Sequence, residues 1–235
     1  MYPLKRLTIL CGHYGSGKTN VAVNIAAELK KSHDSVTVTD LDIVNPYFRT
    51  ADSARELAEA GVTLISPQFA NSNVDLPALP AEAYRLVEDK GIYGIMDIGG
   101  DDRGAYALGR YVPAIKAEGN YRMVFVANCY RPLTRTPEEA LEVMKEIETA
   151  CGLAFTDIVN NANLGPETTS ETVLTAMDYM EKLSEISGLP IFAHTAETAV
   201  AEQLTGKLSP VISLRLQEKY FDLPTQKPGN RPLFG

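Results

Sequence analysis

Short runs of apolar, largely β-branched residues recur along the chain, and amphipathic or charged stretches separate them. The runs are "RLTILC", "SVTVTD", "GVTLIS", "IYGIMDIG", "YRMVFVANC", "TDIVNNAN" and "LPIFAHT". Each is short and continuous, which predicts a strand buried on both faces. Between them the pattern predicts helices over residues 18 to 31, 52 to 60, 80 to 90, 105 to 118, 137 to 150, 170 to 187 and 196 to 205. In the first helix Val21, Ile25 and Leu29 return every four residues and mark one apolar face. Strands alternating with helices build βαβ units, so the expected fold class is α/β, a three-layer α/β/α arrangement with a mostly parallel sheet and helices on both faces. Ligands in such sheets bind beyond the carboxyl ends of the strands.

Composition narrows the classes. The 235 residues suit a single domain of ordinary size, taken here as residues 1–222. The tail 223–235, "LPTQKPGNRPLFG", is rich in Pro and Gly and is expected to be irregular. A formal net charge of −8 argues against a general nucleic-acid binder, because that affinity depends on a basic surface. The apolar start is too short for a signal peptide, and no run approaches the roughly 18 apolar residues of a membrane helix. A cytoplasmic protein without membrane insertion is expected. Cys11, Cys129 and Cys151 form no CxxC pair and sit in or beside apolar runs, where a thiol acts as a small hydrophobe.

Chemistry enters with "CGHYGSGKTN", residues 11 to 20, between the first strand and the first helix. Gly12, Gly17, Lys18 and Thr19 fit G-x-x-x-x-G-K-[ST] in the strand–helix context that a phosphate-binding P-loop requires. Glycines let the backbone close around an anion, and the helix start adds N–H groups and a favourable dipole. The expected nucleotide contacts are therefore Gly12, Gly15, Ser16, Gly17, Lys18, Thr19 and Asn20. Lys18 would bridge the β- and γ-phosphates, and the Thr19 hydroxyl would coordinate Mg²⁺.

Asp97 ends the strand "IYGIMDIG" in a D-x-x-G pattern with Gly100, which makes it the second metal-side carboxylate. In "VTVTDLDIVNP", Asp40 closes a strand and Asp42 follows two residues later. One of the two can orient an attacking water, and Asp42 is a further candidate metal ligand. Tyr47, Phe48 and Arg49 offer a partner-facing segment, while Arg131 and Arg135 follow a strand end near the expected phosphates. Asp101 and Asp102 read as solvated loop residues.

In their order and separations, "GHYGSGKTN", "VTDLDIVNP" and "IMDIGG" make the chain resemble the MinD/ParA/nitrogenase-iron-protein ATPases over most of residues 5 to 215. The resemblance implies a P-loop NTPase fold with ATP and Mg²⁺ as cofactors. It also implies an unidentified protein partner, a possible homodimer, and hydrolysis in which Lys18 and Asp40 are catalytic, Asp40 orienting the water. In that family a first loop lysine reaches across a dimer to the neighbour's phosphates. His13 stands there in this chain, and a neutral imidazole is no constant cation, so slow turnover is expected. Guanine-specific metallochaperone GTPases share a similar "GSGKT" loop but present N-K-x-D, where this chain has "IVNNANLGP". Asn161 is the expected adenine contact, because an amide offers both donor and acceptor. "FAHTAETA", with His194, is expected to cover the base. A nucleotide-state switch is the leading expectation. A kinase or ligase resembling dethiobiotin synthetase, a GTPase metallochaperone and an ATP-binding scaffold with negligible turnover are the alternatives.

Overall fold

The computed structural model describes residues 5–41, 53–66, 81–100 and 102–216. In chain order the elements begin with β1 (Leu7–Cys11), α1 (Lys18–Lys30), β2 (Val36–Leu41), α2 (Ala54–Glu59) and β3 (Thr63–Ile65). There follow α3 (Arg85–Glu88), β4 (Tyr93–Ile98), α4 (Asp102–Gly109), α5 (Val112–Glu118), β5 (Tyr121–Ala127) and α6 (Pro137–Cys151). The last are β6 (Asp157–Asn160), α7 (Ser170–Thr175), α8 (Met177–Ser187), β7 (Ile191–Glu197), α9 (Thr198–Leu204) and β8 (Val211–Leu214).

These strands form one sheet in the order β3-β2-β4-β1-β5-β6-β7-β8, and every neighbouring pair is parallel. The expected α/β architecture is therefore observed. The first strand sits between β4 and β5, with β2 beyond β4, so the carboxyl ends of all four lie side by side.

Alternation along each strand sends successive residues to opposite faces. Leu7 and Ile9 of β1, Met96 and Ile98 of β4 and Phe125 of β5 face a core shared with Leu108, Ile115, Met144 and Leu183. Leu10, Val38, Ile95 and Val124 face the opposite core, against Val21, Ile25 and Leu29 of α1. That α1 stripe is fully buried or nearly so, and each such side chain contributes about 1.5–3 kcal/mol of transfer free energy. Hydrophobic burial thus pins α1, and with it the loop before it, over the centre of the sheet.

Several boundaries differ from expectation. The helix expected over 105 to 118 is two helices, with Pro113 in the first turn of the second. The stretch from 170 to 187 is likewise divided, at Ala176. Residues 81–84 form a 3₁₀ turn ahead of α3. Asp40 does not close its strand, because β2 runs on to Leu41. An eighth strand, β8, was not expected from the sequence. Asp42, Asn45, Pro46, Tyr47, Phe48, Arg49, Asp101 and the tail 223–235 lie outside the described residues.

Candidate functional site

The loop after β1 turns on Gly17, whose φ of 90° and ψ of 20° lie in the left-handed region that glycine adopts without strain. A Cβ there would also overlap the Asn161 amide. Because Gly17 has no side chain, it caps nothing, and the N–H groups of the first α1 turn remain available to an anion. Ser16 N donates to His13 O at 3.1 Å, closing a turn inside the loop. Lys18 is buried, and its Nζ donates to Gly12 O at 3.1 Å and His13 O at 3.3 Å. The ammonium therefore lies folded over the loop.

Thr19 Oγ1 donates to Asp97 Oδ2 at 2.7 Å, which joins the helix start to the end of β4. Asp40 is the register partner of Asp97 on the neighbouring strand, and both are 1% exposed. Ile95 and Val38 face the α1 core, so strand alternation places Asp97 and Asp40 on that same face. Two carboxylates and a hydroxyl thus converge beneath the first turn of α1. Hard oxygen donors of this kind suit Mg²⁺, and the Thr19 and Asp97 oxygens are already close enough to share one ion.

Gly100 follows Asp97 and lies against the loop. A Cβ there would sit 2.6 Å from Tyr14 N and 3.0 Å from His13 C. No side chain fits, so the segment after β4 touches the backbone of the phosphate loop directly.

No family model matches the chain, and no curated protein matches it in sequence. Among solved structures, the cell division protein FtsY from Thermotoga maritima matches with a TM-score of 0.54 at 18% identity, over 81% of this chain and 60% of that one. The fold is that of a P-loop NTPase. The chain spans 60% of the length of that FtsY. The signal recognition particle 54 kDa protein from Aeropyrum pernix, solved in complex with GDP, matches more loosely, with a TM-score of 0.47 at 18% identity over 82% of this chain and 41% of that one. The FtsY likeness shows the fold alone.

Around the P-loop the structure gathers residues that sequence reasoning weighted differently. Asn161 reaches the loop rather than standing apart from it: its Nδ2 donates to Ser16 O at 2.6 Å, and its Oδ1 accepts from Thr195 Oγ1 at 2.5 Å. Both atoms that would read an adenine edge are engaged inside the protein, and Asn161 braces the loop. Thr195 and Asn128 were not singled out from the sequence, because a Thr or Asn at a strand end carries no motif. Asn128 is fully buried and ties two loops together, with Nδ2 donating to Asn163 O at 3.2 Å and Oδ1 accepting from Tyr130 N at 3.1 Å.

His194 is also buried, with Nδ1 3.4 Å from Asn160 Nδ2, and burial pushes its pKa down. It lies in β7 as a core residue. Burial likewise pushes up the thiols of Cys11, Cys129 and Cys151, all of which are free, as suits inert packing residues. Asn20 lies in the first turn of α1, where its backbone O accepts from Asn24 Nδ2 at 2.8 Å. Arg135 is exposed, and its backbone N donates to Glu139 Oε2 at 2.8 Å. Arg131 lies against Gly15. Among the described residues, no helix is long and apolar enough to cross a membrane.

Proposed function

We propose that the protein binds a nucleoside triphosphate with Mg²⁺ on the Gly12–Thr19 loop, prefers ATP, and hydrolyses it slowly as a nucleotide-state switch for a protein partner. The observation that carries this reading is the Thr19–Asp97 hydrogen bond at 2.7 Å, which brings the loop's hydroxyl and the strand-end carboxylate to one point. A bound Mg²⁺ would be held by these two groups and would neutralise charge on the β- and γ-phosphates. Lys18 exchanges its backbone carbonyls for phosphate oxygens. Asp40, buried beside Asp97, is the residue that orients water.

The switch reading rests on contact between loops. Gly100 touches the backbone at His13 and Tyr14, so a change at the γ-phosphate is felt by the segment leading into α4. Tyr14, Tyr106 and Leu133, on the P-loop, on α4 and in the loop after β5, are large apolar side chains exposed by more than half. Exposed apolar side chains of this kind suit a protein partner, or a second copy as in the MinD/ParA proteins the sequence resembles. The preference for adenine rests on "NNANLG" at the end of β6, which holds no carboxylate where guanine readers place one.

Calorimetric titration with MgATP and MgGTP, together with a phosphate-release assay, tests the reading. ATP is expected to bind at least several-fold more tightly than GTP, and Lys18→Ala is expected to abolish binding, because a charge-assisted phosphate contact is lost. Unchanged affinity and turnover in Lys18→Ala would remove the P-loop assignment. A preference for GTP would move the protein to the GTPases.

A further inference from the structure

The loop after β5 presents a cation to the P-loop from within the same chain. A Cβ on Gly15 would lie 3.7 Å from Arg131 Nε, 3.8 Å from its Cδ and 4.0 Å from its Cζ. The guanidinium end of Arg131 therefore lies over the open face of Gly15, three residues before Lys18. Its Nε is buried and has no hydrogen-bond partner among the described residues. A charged donor withdrawn from water without a partner is costly, and such groups call for a ligand or a structural reason.

The loop that carries Arg131 is tightly built. Arg131 N donates to Asn128 O at 3.1 Å, and Thr134 Oγ1 donates to the same carbonyl at 3.0 Å. Tyr130 Oη donates to Thr172 O at 2.9 Å, which anchors the loop to α7. Leu133 has a φ of 63°, a left-handed conformation unfavourable for a branched side chain, and its side chain is exposed. Backbone strain of this kind persists only where the surroundings over-determine it, and it concentrates at functional sites. Here it holds the turn that follows Arg131.

We propose that Arg131 is a phosphate-contacting cation of this site, acting in cis on the nucleotide bound by its own P-loop. The inference rests on the nucleotide-binding reading above and adds the group that supplies positive charge where position 13 does not. His13 is partly exposed, and its Nδ1 lies 3.1 Å from Tyr14 O, a contact with its own loop. Its forked guanidinium can bind two phosphate oxygens, with Nε on the Gly15 side. An incoming anion satisfies the orphaned Nε donor.

The test uses the full chain titrated calorimetrically with MgATP and, separately, with inorganic tripolyphosphate, which carries no base. Arg131→Met, Arg131→Lys and Lys18→Ala are compared with wild type, and each is melted without ligand. Arg131→Met is expected to weaken both probes by about 10- to 100-fold, the range of a charged hydrogen bond. Its ligand-free Tm should not fall, because the lost Nε has no protein partner, and Arg131→Lys should recover part of the affinity. If wild type binds neither probe, the nucleotide reading falls and takes the inference with it. If wild type binds, Lys18→Ala does not, and Arg131→Met stays within about twofold of wild type, Arg131 is packing alone and only the inference falls. A fall in ligand-free Tm with unchanged affinity likewise overturns the inference.

Discussion

Asn161 joins two strands and a loop through one amide, and its removal has consequences that separate its two conceivable roles. Asn161→Ala leaves Ser16 O without this donor and removes an acceptor from Thr195 Oγ1 inside the protein. Leaving buried polar groups unsatisfied costs about 1–3 kcal/mol. The expected outcome is a lower denaturation midpoint without any nucleotide, with ATP and GTP affinities reduced by the same factor. A variant of normal stability that loses ATP affinity alone would return Asn161 to reading the base. The sequence could show that an amide stood after β6, but not that its neighbour in space was Ser16, 145 positions away. The meeting of Thr19 with Asp97 was legible, because the P-loop pattern and the D-x-x-G pattern each follow a strand and neighbouring strand ends lie side by side. Arg131 was readable as following a strand end near the expected phosphates, but its contact with Gly15 depends on β5 lying beside β1.

At the scale of elements, α6 shows local chemistry deciding a boundary. Thr136 Oγ1 accepts from Glu139 N at 3.2 Å, Glu139 Oε2 accepts from Thr136 N at 3.1 Å, and Pro137 occupies the first turn. This capping box fixes the start of α6 at Pro137, where the sequence pattern placed it. Thr136→Ala is expected to cost about 1 kcal/mol and to lower Tm by about 2–4 °C, measured by thermal unfolding. No change would show that tertiary contacts alone fix the start of α6. Where the pattern misled, the reason is also local. The stretch 105 to 118 keeps a helical apolar period through "YALGRYVPAI", so periodicity ran the two helices together. Pro113 marked the true restart, because its ring is tolerated in a first turn but not in an interior. The strand β8 is a four-residue edge strand in which exposed Ser213 interrupts the apolar run, and its pairing with β7 makes it a strand.

The whole molecule is expected to respond to pH through a buried group of β7. His194 is buried in β7, and burial holds its pKa below the ordinary 6.5. As pH falls, the unfolded chain takes up a proton on this residue before the folded one does. The contribution of His194 to stability is therefore fully present above about pH 6.5 and declines as pH drops from there toward the folded-state value. Denaturant midpoints measured from about pH 8 to 5 should fall more steeply for wild type than for His194→Gln. Parallel slopes would mean that His194 is protonated in the folded protein as readily as in the unfolded one.

Lys18 carries a last consequence, for how a ligand arrives. Its ammonium is already bound to the Gly12 and His13 carbonyls, so the resting loop is not a vacancy. It is a closed circuit between a tethered cation and its own backbone. On the proposed reading, entry is an exchange reaction in which polyanion displaces carbonyl, and the net gain is the difference between two sets of hydrogen bonds rather than the sum of one. Such an exchange rewards charge before shape. On that reading the loop discriminates first against whatever is too weakly anionic to draw the ammonium away, and only then among the bases attached to what remains.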